Sequence, residues 1–222
     1  MTARDLVVIG AGEHAGVVVD AARTQSHAWR IVGFTDPRSE TDTAHRLGLD
    51  NLGSDDALAE RLAAGSPPPD DGPWLVLGFG GRVAAREAAV GRFGTDAQWA
   101  TIVHAAAWVS PTATLGAGSV VLAGAVVNAG ASVGCHAIVN SRAVIEHDVR
   151  VGDHAHVGPG AIIGGGARIG DGAFVGLGAL VRDHVEVGSG STVGMGAVVV
   201  GDVPPGVVVT GSPARPRDGG HE

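Results

Sequence analysis

The 222 residues include no lysine, no tyrosine, a single cysteine, and only four tryptophans and four phenylalanines. Each shortage excludes something. With Cys135 alone, no internal disulfide framework can form. All fifteen basic residues are arginines, and the 23 acidic residues outweigh them to give a formal charge of −8. That balance argues against nucleic acid as a partner, because phosphate neutralisation needs a basic face. No apolar run approaches the roughly 18 residues of a membrane-spanning helix. The opening MTARDLVVIGAG carries too short an apolar stretch for a signal peptide and reads as a buried strand. These exclusions lead to an expectation of a soluble, cytoplasmic protein, long enough for two small domains.

What the chain has in abundance is glycine, 37 residues, and a strict period. Aliphatic residues recur at every sixth position without a slip, from Val103, Val109, Leu115 and Val121 through to Val193 and Val199. Four positions after each stands a small or β-branched residue, such as Ala107, Ser119, Ala143, Val149 and Ala197. A helix requires a period of about 3.6 and an ordinary strand a period of 2, so neither accounts for six. A hexapeptide repeat is the signature of a β-solenoid, in which short parallel strands stack and the chain turns a corner at each repeat. Three hexapeptides complete a triangular coil, so each inward aliphatic residue should lie beneath the one eighteen residues later. The run holds between five and six coils, about 27 Å tall at roughly 4.8 Å per coil. An interior this narrow also explains the scarcity of rings. Small residues on flat faces permit prisms to pack side by side, and a homotrimer is the expected assembly.

The first hundred residues follow another pattern. Leu6–Ile9 is a short apolar run suited to a buried parallel strand. It meets Gly10-Ala11-Gly12-Glu13-His14-Ala15-Gly16 and then Val17–Arg23, which reads as a helix. Arg30–Thr35 is a second strand, ending at Asp36-Pro37. The segment 54–64 is a helix with Ser54 as its N-cap, 67–73 is a Pro-rich loop, and Trp74–Leu77 is a third strand. Gly78-Phe79-Gly80-Gly81 then leads into a helix from about Arg82 to Arg92. This alternation indicates a Rossmann-like α/β domain over 1–100, followed by an all-β solenoid domain over 101–217. A glycine-rich turn between strand and helix can present backbone N–H groups to a phosphate. Asp36 sits where an acid often contacts ribose. No hydride chemistry is visible elsewhere, so a nucleotide-bearing ligand is favoured over a nicotinamide cofactor; a turn that only packs helix on sheet is the alternative.

A β-solenoid has no structural need for imidazole, so histidines at its turns draw attention. In Ile145-Glu146-His147-Asp148, His147 occupies the third position of its repeat, which should point outward, flanked by two carboxylates. A carboxylate on one ring nitrogen fixes the tautomer and strengthens the other nitrogen as a base. His147 is thus the candidate general base, with Asp148 and the nearby Asn140 grouped with it as catalytic. His156 lies half a coil away, on another face of the prism, and could meet His147 only across a subunit interface. His136 and His154 are eighteen apart and should stack at a corner. No two histidines have the five-residue spacing of the zinc solenoids, so no metal is expected. Cys135 beside His136 gains no role.

Taken together, VVIGAGEHAGVVVDAA, FTDP, NSRAVIEHD, HAHVGPGA and GSPARPR resemble a family of bacterial sugar acyltransferases in which a Rossmann-like domain precedes a left-handed parallel β-helix. It includes acetyltransferases acting on UDP- and GDP-linked 4-amino-4,6-dideoxysugars and sialic acid O-acetyltransferase relatives. The resemblance implies left-handed coiling, acetyl-CoA as co-substrate, a nucleotide-sugar acceptor, His147 as base and Asp148 as its orienting acid. It implies acetyl-CoA contacts at His156, Gly165, Leu177, Met195 and Arg215, and nucleotide-sugar contacts at Gly12, Glu13, His14, Asp36 and Gly78. Relatives commonly carry glycine where this chain has Glu13, whose carboxylate would repel a diphosphate unless it turns away. The readings that stay open are N-transfer to an aminosugar, O-transfer to a sialic acid or similar hydroxyl acceptor, and a non-catalytic trimeric scaffold.

Overall fold

A computed structural model of the chain describes residues 3–38, 46–65, 72–81 and 83–217. His45, His221, Arg82 and most of the Pro-rich loop lie outside the described residues. The chain divides into two compact units, Met1–Ala105 and Ala106–Glu222.

The first unit is built on a three-stranded parallel sheet of order β2-β1-β3, formed by β1 (Arg4–Ile9), β2 (Trp29–Thr35) and β3 (Trp74–Leu77). Central β1 is wholly apolar over Leu6–Ile9 because both its faces are covered. Helix α1 (Glu13–Arg23) starts four residues before its apolar stretch, directly after Gly12. It packs Ala15, Val18, Val19 and Ala22 inward. Helix α2 (Asp55–Gly65) is capped as the sequence suggests, the Ser54 hydroxyl accepting from the Ala57 N–H at 3.2 Å. Helix α3 (Val83–Arg92) follows. Leu58, Leu75, Leu77, Ala89 and Trp99 close the core with Val7 and Ile9. In this strand order the chain reverses direction beside β1, so the turns after β1 and β3 border the crevice where open α/β sheets bind ligands.

The second region is a parallel β-solenoid. Strand β4 (Ile102–Val103) opens the repeat register. Two-residue strands then recur every six residues: β5 (Trp108–Val109), β6 (Thr114–Leu115), β7 (Val120–Val121), and so on through β11 (Val144–Ile145), β13 (His156–Val157), β16 (Phe174–Val175) and β19 (Thr192–Val193) to β20 (Val198–Val199). Each pairs with the strand eighteen residues away, as in Val121 with Val139 and Ile145 with Ile163. Three sheets result. The first face carries β7, β10 (Ile138–Val139), β13, β16 and β19; the second β5, β8 (Val126–Val127), β11, β14 (Ile162–Ile163), β17 (Leu180–Val181) and β20; the third β6, β9 (Ser132–Val133), β12 (Arg150–Val151), β15 (Arg168–Ile169) and β18 (Glu186–Val187). Inward residues from Val121 onward are buried, whereas Val109 and Leu115 of the first coil are half-buried.

The last coil is two residues shorter. Val203 bridges Val187 and Val209 pairs with Val193, sixteen positions apart rather than eighteen. Strand β21 (Val208–Thr210) then folds back antiparallel onto β22 (Arg215–Pro216).

Each corner uses the same backbone device. Every sixth residue from Gly118 to Gly196 has positive φ, and from His136 onward its N–H donates to a carbonyl of the coil before, as Asp148 does to Ala129 at 3.0 Å; at Gly130 the acceptor is the Thr112 hydroxyl at 3.1 Å. Nine of these fourteen corner residues are glycine; the others are His136, Arg142, Asp148, His154 and His184. A side chain in this region costs roughly 1–2 kcal/mol, so the non-glycine residues mark places where a side chain is kept despite strain.

Candidate active site

His147 stands at the apex of the corner between the second and third faces, immediately before Asp148, whose φ is 61°. The short strand β11 buries Ile145 and so turns His147 outward, leaving its side chain 63% exposed. Asp148 Oδ2 lies 2.9 Å from His147 Nδ1. A carboxylate accepts, so Nδ1 carries the proton and Nε2 keeps its lone pair. The hydrogen bond that His147 donates to Asp148, aided by the charges of Asp148 and Glu146, raises the His147 pKa above the usual 6.5. Glu146 does not touch the ring; its Oε2 accepts from Asn128 Nδ2 at 3.1 Å. Of the two flanking acids, the structure therefore selects Asp148.

Gly165 lies one coil further along the chain, at the position eighteen residues after His147. A methyl group placed on it would come within 2.6 Å of His147 Nε2 and 2.7 Å of Cε1. The glycine thus forms the floor on which the imidazole rests. Its own N–H makes no hydrogen bond among the described residues, while the neighbouring Gly166 N–H reaches His147 O at 2.9 Å. His147, Asp148 and Gly165 form one compact group.

The remaining solenoid candidates lie elsewhere on the prism. His156 is on the first face, with Asn140 Nδ2 at 3.0 Å from its Nε2 and the Phe174 ring edge-on at 5.2 Å. Asn140 therefore pairs with His156, not with the base; Asn140 Oδ1 also accepts from the Ser141 N–H at 2.8 Å. Leu177 and Met195 stack at the corner between the first and second faces, 48% and 75% exposed, joined by the Gly196 N–H to Leu177 O bond at 2.8 Å. Arg215 is exposed on β22. His136 and His154 stack at 5.0 Å with ring planes 17° apart, and no cluster of three or more metal-binding side chains occurs among the described residues.

In the first unit the three turns after β1, β2 and β3 meet. The Phe79 ring covers Gly10, where a methyl group would stand 2.7 Å from it, and Gly78 lies against Gly10 O and Val8. The Thr35 hydroxyl accepts from the Gly10 N–H at 3.0 Å and donates to Asp55 Oδ1 at 2.6 Å. Gly12 caps α1, with Glu13 exposed on its first turn and His14 half-buried beside it. Burial, and then the charge of Arg86, push the His14 pKa below 6.5. Arg86 is itself fully buried, and burial pulls its pKa down to about 10. Asp36 is buried and held by Arg38, a partner the sequence pattern did not reveal. A separate cavity of about 610 Å³, lined by Leu62, Leu75, Phe93 and Gln98 among others, contains none of these residues.

Residues 5–66 match the PglD N-terminal domain family, and residues 130–165 match the bacterial transferase hexapeptide family. Among curated proteins, none matches the chain. Among solved structures, a histidine-to-asparagine variant of perosamine N-acetyltransferase from Caulobacter crescentus, bound to CoA and GDP-perosamine, is 32% identical. The match covers 97% of each chain, with a TM-score of 0.84. This chain belongs to the left-handed β-helix sugar N-acetyltransferases. A further member, the acetyltransferase domain of PglB from Neisseria gonorrhoeae in complex with acetyl coenzyme A, is 35% identical over 97% of this chain and all of that one, with a TM-score of 0.84. WeeI from Acinetobacter baumannii, 24% identical over 96% of this chain and all of that one, shares the fold with a TM-score of 0.79. Membership in the sugar N-acetyltransferases supplies the left hand of the solenoid and accounts for both halves of the chain at once.

Proposed function

We propose that this protein transfers the acetyl group of acetyl-CoA directly to the amino group of a nucleotide-linked 4-amino-4,6-dideoxysugar. The observation that carries the reading is the His147–Asp148 pair, outward-facing, tautomer-fixed and resting on Gly165. His147 Nε2 takes a proton from the acceptor amine as its nitrogen attacks the thioester carbonyl. The tetrahedral intermediate then expels the CoA thiolate, which receives the proton that His147 Nε2 took from the amine, so the base is regenerated. The unpaired N–H of Gly165 is suited to stabilise the oxyanion. No covalent acyl-enzyme is required, and Cys135 stays outside the scheme. The chain's relatives bind CoA, acetyl-CoA and GDP-perosamine, which supports His156, Leu177, Met195 and Arg215 as acyl-donor contacts. It also supports Gly12, Glu13, His14, Asp36 and Gly78 as the acceptor side.

The scattered donor residues support a homotrimer. His147 and Leu177 stand at different corners of a prism, so one prism cannot bring them together. Outward positions of the second face are all apolar: Trp108, Val126, Val144, Ile162, Leu180 and Val198. Those of the third are Thr114, Ser132, Arg150, Arg168 and Glu186. A second copy seated on the apolar face would cover surface that is otherwise wet and bring its own groups to the edge where His147 stands. Among the described residues no helix is long and apolar enough to cross a membrane. Acetyl-CoA and nucleotide sugars are cytoplasmic metabolites, which supports a cytoplasmic location.

The test is to supply purified protein with acetyl-CoA and a panel of GDP-, UDP- and dTDP-linked 4-aminosugars, plus free sialic acid, and to follow thiol release. Turnover with an aminosugar to give an amide supports the reading. Turnover only with the hydroxyl acceptor overturns it.

A further inference from the structure

The acid at the end of β2 is not open to a ligand. Asp36 is 5% exposed, and both its oxygens are occupied by Arg38: Nε donates to Oδ1 at 2.9 Å, Nη2 donates to Oδ2 at 2.8 Å, and the Arg38 backbone N–H donates to Oδ1 at 2.9 Å. The turn is fixed from below by Asn51. Its Oδ1 accepts from the N–H groups of Asp36 at 3.2 Å and Gly53 at 3.0 Å, and its Nδ2 donates to the carbonyls of Asp36 at 3.2 Å and Arg38 at 2.7 Å. Thr35, next in the chain, anchors the glycine-rich turn through the Gly10 N–H. Arg38 is thus braced on the same platform as the proposed phosphate turn, while its side chain remains 72% exposed.

A guanidinium that spends Nε and one Nη2 hydrogen on a carboxylate keeps a second edge, between Nη1 and Nη2, with two parallel donors. That edge fits two adjacent acceptors. Guanine offers such a pair in N7 and O6, adenine sets a donor beside N7, and thymine sets a methyl group beside O4. Uracil has two carbonyl oxygens separated by an N–H donor, so the fork meets only one of them. We propose that Arg38, held in place by Asp36, reads the base of the acceptor nucleotide and selects guanine over uracil and thymine. Asp36 then acts as a positioning residue rather than as a direct contact to ribose. This inference rests on the nucleotide-sugar reading above.

The experiment is calorimetric titration of the wild-type protein and of the Arg38→Ala, Arg38→Lys and Asp36→Asn variants with GDP, UDP and dTDP, with thermal unfolding as a check on the fold. Wild type should prefer GDP. Arg38→Ala should weaken GDP binding by about 10- to 100-fold, the usual worth of a bidentate base contact, and leave UDP within about twofold. Arg38→Lys keeps the charge but loses the fork, so it should resemble Arg38→Ala. Asp36→Asn keeps the guanidinium but loosens its brace, so it should weaken GDP binding by a smaller factor. Equal losses for GDP and UDP would mean a phosphate contact and would overturn base reading, as would unchanged GDP binding in Arg38→Ala. If the wild type binds no nucleoside diphosphate at all, the nucleotide-sugar reading itself fails, which is a separate outcome.

Discussion

Replacing Gly165 by alanine adds one methyl group directly against the imidazole of His147. The new carbon would stand 2.6 Å from Nε2, about 0.8 Å inside ordinary van der Waals contact. Gly165 lies outside the left-handed region occupied by its neighbour Gly166, so its backbone accepts alanine without strain. The His147 ring is well exposed and free to swing outward. The fold should therefore lose less than about 1 kcal/mol, because the buried glycine's new methyl group is relieved by an exposed ring and not by the backbone. The catalytic geometry has no such freedom. A ring pushed off Gly165 breaks its 2.9 Å contact with Asp148 and carries Nε2 roughly 1 Å from its place, a misplacement that costs on the order of 100-fold in rate. The assay is thiol release under saturating substrates, with unfolding temperature as the control. Gly164→Ala gives the contrast: its new carbon would meet the backbone N of Asp183 at 2.5 Å, which cannot swing away, so that variant should lose stability as well. A Gly165→Ala enzyme with kcat within about threefold of wild type would refute the idea that this glycine seats the base.

Asp148→Gly removes a side chain from a strained corner and should raise stability by about 1 kcal/mol while lowering kcat; loss of both, measured by unfolding and turnover, would contradict the corner analysis. The pH profile follows from the raised pKa of His147: the base works when neutral, so kcat/KM should fall as pH drops through a midpoint above 6.5. Asp148→Asn removes the charge that raises it, so the midpoint should move down toward 6.5. His14 has the opposite sign. Its folded pKa is depressed, so the unfolded chain binds its proton more readily, and stability present above 6.5 should be lost as pH falls below it. His14→Asn should flatten that part of the unfolding-temperature profile.

Much of this architecture was legible because a strict period has few solutions. The hexapeptide ladder fixed the eighteen-residue pairing, the inward rungs and the outward place of His147, and the stacking of His136 on His154 followed from the same arithmetic. The ladder ends at Val199, and the shortened final coil through Val203 lies beyond its reach. Side-chain partners were less accessible. Asn140 is nearer in sequence to His147 than to His156, yet the corner directs it to His156. Asp36 looked like a ribose contact because of its strand-end position; nothing in the spacing showed that Arg38, two residues on, folds back over it. Gly165 was expected only as an acetyl-CoA contact by resemblance, and its role beneath the imidazole became visible only in the register of adjacent coils.

The central claim, that His147 is the general base for direct acetyl transfer to a sugar amine, is tested most directly by single-turnover rates of wild type and His147→Ala with acetyl-CoA and the preferred nucleotide-linked 4-aminosugar. The account predicts an amide product, no acyl-enzyme intermediate, and a loss of at least about 100-fold in the variant. A His147→Ala enzyme that retains the wild-type rate, or an acetyl group trapped on the protein before the sugar is added, would contradict it.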